Sequence, residues 1–190
     1  MNKKLMKMAL ASTILLSAGV IQSNDGYAHM LKPYYQWKGY TGNSYTFLFD
    51  KNFKRALFND NVTINGMKLS TNFNNDDISE GMNAFENLHN KQRYNKRFVI
   101  KKYDTIGYKS SKGKYFLIEF PVQKGKISIK QFSNHYGKYK IGTDVIKDSK
   151  GKIIERNVTY KVNNSILEAT FDANNMLVNC YIYADTTMPF

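Results

Sequence analysis

The sequence predicts an α+β fold, a twisted antiparallel sheet of hairpins with two or three short helices on one face. Two observations carry that expectation. Residues 139–183 read as four runs rich in β-branched and aromatic residues, separated by the turn pairs Lys150-Gly151, Asn163-Asn164 and Asn174-Asn175. Elsewhere apolar residues recur at helical spacing, at Ile78, Met82, Phe85 and Leu88, and again at Ile129, Phe132 and Tyr136. Hairpins grouped apart from helices favour α+β over an alternating α/β layout.

The first residues read as a targeting signal. Lys3, Lys4 and Lys7 form a basic start, and Ala9 to Ile21 is an uncharged, mostly apolar run. Gly26 and Ala28 then supply small residues at the −3 and −1 positions of a cleavage site. The apolar run is too short to span a bilayer comfortably, and no cysteine lies near the cut to carry a lipid anchor. The expected organisation is a cleaved signal peptide over 1–28 and a single α+β domain over 29–190, secreted to the extracellular space or held at the cell surface. A domain of that length can bury a real core. Cys180 is the only cysteine, so no internal disulfide is available, and its alternating strand context reads as burial rather than reactivity.

The elements follow in order. Leu31 to Tyr40 is rich in aromatics, and Gly39, Gly42 and Asn43 mark a turn. Tyr45 to Phe49 reads as a strand. Asp50 caps a short helix over 51–58 that buries Phe53 and Leu57. Val62 to Leu69 alternates as a strand interrupted at Gly66. Asp77 with Glu80 resembles a capping box opening a helix that runs to about Gln92. Its acidic start and basic end suit the helix dipole. Strands over 98–106 and 115–122 flank a loop at 109–114, with Pro121 at an edge or bulge. Ser128 caps a further helix that stops at Gly137. The four closing strands complete a meander.

Charge is the sharpest functional signal. Between Lys91 and Lys140 fourteen lysines and arginines face only Asp104 and Glu119. Outside that segment the residues from 29 onward carry eleven basic and twelve acidic side chains, so the positive excess is regional in sequence. Aromatic residues lie between the charges. Basic groups neutralise phosphates and aromatic faces stack on unpaired bases. The same composition also fits a solvated strand face with core aromatics. The residues expected to bind nucleic acid are Lys91, Arg93, Tyr94, Lys96, Arg97, Lys101, Lys102, Tyr103, Tyr108, Lys109, Lys112 and Lys114. Hairpin 98–120 is expected to gather Lys102, Lys109, Lys112 and Lys114, with Arg93, Lys96 and Arg97 joining the same rim.

No catalytic or metal-ligating constellation stands out, so no cofactor and no enzymatic activity are expected. His29, His89 and His135 lack the spacing of metal ligands. No phosphate loop, dinucleotide motif or nucleophile elbow occurs. Asp104 and Glu119 are the carboxylates a metal-dependent nuclease would use, but a basic strand commonly carries an acidic partner. Asn61 and Asn157 each open an Asn-Val-Thr triplet, read here as strand residues.

The run Pro33-Tyr-Tyr-Gln-Trp-Lys-Gly-Tyr-Thr-Gly-Asn43, then Phe47-Leu-Phe-Asp-Lys-Asn-Phe53, Asp60-Asn-Val62 and Asn65-Gly-Met-Lys-Leu69, resembles the immunodominant staphylococcal antigen B family. This block spans about a fifth of the chain. Weaker similarity covers Lys102-Tyr-Asp104, Tyr136-Gly137-Lys138 and the strands from Ile166, while 72–93 looks like an addition. The resemblance implies a secreted, partly surface-associated protein without known catalysis and with sequence-independent affinity for nucleic acid. It supplies no motif of binding residues.

The leading expectation is therefore a secreted, non-catalytic protein that binds extracellular nucleic acid or another polyanion, as a monomer. Nothing in the sequence implies an integral membrane partner. The alternative is a host- or wall-directed interaction protein that binds a host protein, an acidic glycan or an anionic cell-wall polymer. Its contact patch would be the aromatic block Tyr34 to Tyr45, if that block were exposed rather than core.

Overall fold

The structure, a computed structural model, describes residues 33–185. The expected signal peptide over 1–28 lies outside the described residues. In chain order the elements are β1 (Tyr35–Trp37), α1 (Lys51–Leu57), β2 (Val62–Ile64), β3 (Met67–Lys68) and α2 (Asn75–His89). There follow β4 (Val99–Lys102), β5 (Thr105–Lys109), β6 (Tyr115–Pro121) and α3 (Ile129–Tyr136). The chain closes with β7 (Lys140–Lys147), β8 (Ile153–Val162), β9 (Ser165–Asp172) and β10 (Leu177–Ala184). Short 3-10 helices cover Tyr45–Phe49, Lys96–Phe98 and Gly137–Tyr139.

The main sheet has seven antiparallel strands in the order β4-β5-β6-β10-β9-β8-β7. Because side chains alternate along a strand, the register sorts its two faces. Gly107, Ile118, Ile182, Leu167 and Tyr160 form one cross-strand row. That row lies in the larger core with Phe53 of α1 and Phe132 of α3. The small sheet β1-β2-β3 closes over the same core. The opposite face carries the row Ile106, Glu119, Tyr181, Glu168 and Thr159, which is far more polar. There α2 packs Ile78, Ala84 and Phe85 against Tyr108, Leu117 and Tyr181, a second core.

The antiparallel α+β class is thus as expected, but the placement of all helices on one face is not. The helices divide between the faces, α1 and α3 on one and α2 on the other. Periodicity reports that a helix has an apolar side, not which face of a sheet receives it.

Several element boundaries differ from expectation for local reasons. Tyr45–Phe49 is a 3-10 helix, not a strand. Its consecutive Phe47 and Leu48 are both buried, which a half-buried strand's alternation does not allow. The single strand read over Val62–Leu69 is a hairpin. Asn65 (φ 54°) and Gly66 (φ 82°) form its two-residue turn, the dipeptide such turns favour. Helix α2 begins earlier, where the Asn74 side chain accepts from the Asp77 amide. The strand read over 98–106 is also two strands, folded back at Tyr103-Asp104. By contrast, α3 carries the full reciprocal cap between Ser128 and Gln131.

Candidate nucleic-acid interface

Strand β4 is one edge of the main sheet, and residues 91–114 of the basic segment lie on or next to it in the chain, whereas the later part of the segment runs through α3 to Lys140 at the start of β7, the opposite edge. At one end of β4, the 3-10 turn holding Arg97 meets the β5–β6 loop. Arg97, Lys109 and Lys112 there line a shallow cavity of about 240 Å³ with Ser110, Ser111 and Gly113. The loop is anchored from below. The Ser111 amide donates to the Asp77 carbonyl at 2.7 Å, and the Ser110 hydroxyl accepts from the Lys114 amide at 3.2 Å. Lys112 bonds the Asp77 carboxylate at 2.9 Å, so its charge is already partly matched. Arg97 and Lys109 have no such carboxylate and lie near the faces of Phe98 and Tyr115 instead.

The other end of the edge is the β4–β5 turn. Tyr103 adopts φ 55°, a left-handed conformation unfavourable for a bulky side chain. Its ring stands exposed beside that of Tyr40, with centroids 5.3 Å apart and nearly perpendicular. Asp104 holds this arrangement together. It accepts from the Thr41 amide at 2.9 Å, the Thr41 hydroxyl at 3.0 Å and the Gly42 amide at 2.8 Å. The turn is thereby fixed to the loop that carries Tyr40. Strand β5 separates the two ends by roughly 13 Å at about 3.3 Å per residue.

The expected residues fall into three groups. Arg97, Lys109 and Lys112 come together, and Lys114 stays exposed at the same loop. Lys91, Arg93 and Lys96 are exposed on the α2–β4 connection. Lys101 and Lys102 are exposed on opposite faces of β4. Lys101 lies 5.9 Å from the Tyr94 ring, whereas the Lys102 ammonium reaches the β2–β3 turn at Gly66. Lys102 therefore does not join Lys109 and Lys112 as expected, because the hairpin puts it at the far end.

Two aromatic assignments need correction. Tyr108 has no exposed surface, and its hydroxyl donates to Glu119 at 3.0 Å, so it cannot stack on a base. Its inward direction follows from the strand alternation that places it beneath α2. Tyr94 is half-buried in the second core. Tyr40, absent from the expected set, is the exposed partner of Tyr103. Its flanking Gly39 and Gly42 were the available signal of a protruding turn.

The nuclease alternative finds no support in the two carboxylates considered for it. Asp104 is occupied by the 41–42 loop. Glu119 lies on the α2 face, where Tyr108 and the Asn179 amide donate to it and His89 lies 3.4 Å away. Among the described residues no group of three or more His, Cys, Asp or Glu is placed to hold a metal ion. Cys180 is fully buried, and burial pushes its thiol well above the usual range, as its strand context predicts.

The sequence profile of the immunodominant staphylococcal antigen B family matches residues 34–182, nearly the whole described chain. The chain belongs to this family. It is 50% identical over 40 residues to "Immunodominant staphylococcal antigen B" of Staphylococcus aureus strains USA300, NCTC 8325 / PS 47 and COL. That stretch is 21% of this chain and spans only 23% of the length of each relative. No solved structure matches. Membership of an antigen family points to an extracellular or surface protein, and the family's name gives no catalytic activity. Among the described residues no helix is long and apolar enough to cross a membrane.

Proposed function

We propose that this antigen family member is a secreted, non-catalytic protein that binds nucleic acid without sequence preference along the β4 edge. The observation that carries the reading is the pairing on one edge of a cationic cavity and an exposed aromatic pair. Arg97 and Lys109 supply phosphate contacts at one end, and Tyr40 and Tyr103 supply stacking surfaces at the other. Cationic groups of this kind contact the phosphate backbone and exposed rings the faces of unpaired bases, neither of which reads sequence. The strained Tyr103 conformation adds weight. Such strain persists where the surroundings hold it, and here it turns a ring toward solvent.

The aromatic block considered as a protein-binding patch divides instead. Trp37 stacks on Phe47 with centroids 5.1 Å apart, and Tyr35 and Tyr45 pack on the core, leaving Tyr34 and Tyr40 exposed. This weakens the interaction-protein alternative.

A salt titration of binding to single-stranded DNA, duplex DNA and heparin tests the proposal. Affinity for DNA is expected to fall steeply with salt, and Arg97→Glu with Lys109→Glu is expected to abolish it. A preference for single strands over heparin that vanishes in Tyr40→Ala with Tyr103→Ala supports the stacking role. Salt-insensitive affinity, or a charge-reversed variant that binds unchanged, would sink the phosphate-contact reading.

A further inference from the structure

The polar face of the main sheet holds a second cavity of a different character. Helix α2 covers this face over β4, β5, β6 and, through Phe85, the near side of β10. Beyond it lies a trough of about 460 Å³, within the size range of small-molecule sites. Met82 and Phe85 of α2 form one wall, and Glu155, Glu168, Tyr181 and Tyr183 form much of the floor.

The charge in this trough contrasts with the rest of the chain. The protein is strongly basic, yet no lysine or arginine lines the cavity. Glu168 accepts from the Tyr183 hydroxyl at 3.1 Å, and Glu155 from the Asn157 amide at 3.2 Å. Both donors are neutral. Lys161, on the neighbouring strand position, is already bonded to Asp185. Burial, with Asp144 and Glu155 nearby, holds the Glu168 carboxyl above its ordinary value against the opposing Tyr183 hydrogen bond. Two partly buried carboxylates therefore face a cavity without a cation, an arrangement that a cation entering from solution relieves. The aromatic walls fit the same chemistry, because ring faces attract ammonium groups.

We infer that the trough between α2 and strands β8–β10 binds a small organic cation, a protonated amine carried on a flat apolar body. The ammonium sits between Glu155 and Glu168, and the apolar body lies against Met82, Phe85 and Tyr181. No residue of the trough belongs to the β4 edge, so this site stands or falls independently of nucleic-acid binding.

Tryptamine and its uncharged isostere tryptophol are the probes, titrated calorimetrically into the purified protein while the Met82 methyl resonance is followed. Tryptamine is expected to bind and to shift that resonance, with tryptophol about tenfold weaker or more. Glu168→Gln is expected to shrink the preference for tryptamine over tryptophol severalfold, and Met82→Trp, which fills the trough, to bind neither. Far-UV circular dichroism establishes that each variant is folded, and Glu155→Gln replaces Glu168→Gln if the latter is not. The inference is overturned if millimolar tryptamine leaves Met82 unshifted, if tryptophol binds equally well, or if the glutamine variant keeps the preference for the amine undiminished.

Discussion

Replacing Gly81 by alanine separates two forces that act in opposite directions. In an ordinary helix interior Gly→Ala stabilises by about 1 kcal/mol. At this position an added Cβ would lie 2.3 Å from the Lys109 carbonyl oxygen and 2.4 Å from the Phe116 ring. Real contacts of this kind begin roughly 1 Å farther out. The ring could rotate, but the carbonyl belongs to the β5 backbone, so α2 must lift from the sheet. Overpacking of that sort costs about 1–3 kcal/mol, and a backbone obstacle belongs at the upper end. Net destabilisation of about 2 kcal/mol is expected after the helix-propensity gain is subtracted. Urea denaturation measures it, with Asn83→Ala on the exposed side of α2 as the reference for propensity alone. Because α2 supports the Lys109 loop through Asp77, affinity for DNA should fall as well. If Gly81→Ala instead stabilised the protein by the ordinary amount, the close seating of α2 on β5 would be wrong.

Further outcomes follow from individual contacts. Neutralising Arg97 and Lys109 to glutamine should lower the slope of log affinity against log salt by about 1.4 for single-stranded DNA, read by fluorescence anisotropy. Tyr40→Ala and Tyr103→Ala should each cost about 1–3 kcal/mol on single strands if each ring stacks one base, and leave heparin binding unchanged. Tyr136→Phe removes the buried hydroxyl that donates to the Leu48 carbonyl, and should lower the unfolding free energy by about 1–2 kcal/mol in the same denaturation assay. Glu168 has a raised folded pKa, so its contribution to stability is fully present below the unfolded value of about 4.3 and is lost as pH rises through the folded value. Glu168→Gln should therefore be more stable than the parent at neutral pH, and the difference should shrink below about pH 4, as thermal melts across pH can read.

The repeated hairpins from β7 to β10 were legible because alternation and turn residues pointed the same way. Asn163 (φ 68°), Gly151 (φ 78°) and Asn175 (φ 61°) adopt the left-handed conformations that turns at those pairs require. The β4–β5 turn was hidden for the opposite reason. Tyr103-Asp104 is a poor turn dipeptide by local preference, and Asp104 holds it through tertiary bonds to Thr41 and Gly42 that no local pattern reports. The candidate site was legible as charge but not as place. Sequence put Lys102 with Lys109, whereas the unseen turn sent them to opposite ends of a hairpin. It also read Tyr108 and Tyr103 alike, although one ring is buried under α2 and the other faces solvent.

The position of α2 makes the two proposed sites separable. On one flank of the helix, Lys112 and Ser111 of the basic loop bind Asp77. Toward the middle of the sheet, Phe85 packs on Tyr108 and Tyr181, and beyond it Met82 forms a wall of the acidic trough. The helix thus stands between a cationic edge and a carboxylate floor on one sheet. A polyanion following the β4 edge would be repelled by Glu155 and Glu168, and a cation in the trough would be repelled by Arg97 and Lys109. At physiological salt the solvent path between exposed charges is screened over about 8 Å, and a helix about 10 Å across keeps the two sets of charges farther apart than that. Charge changes at either site should therefore leave binding at the other nearly unaltered, whereas lifting α2 through Gly81 should disturb both.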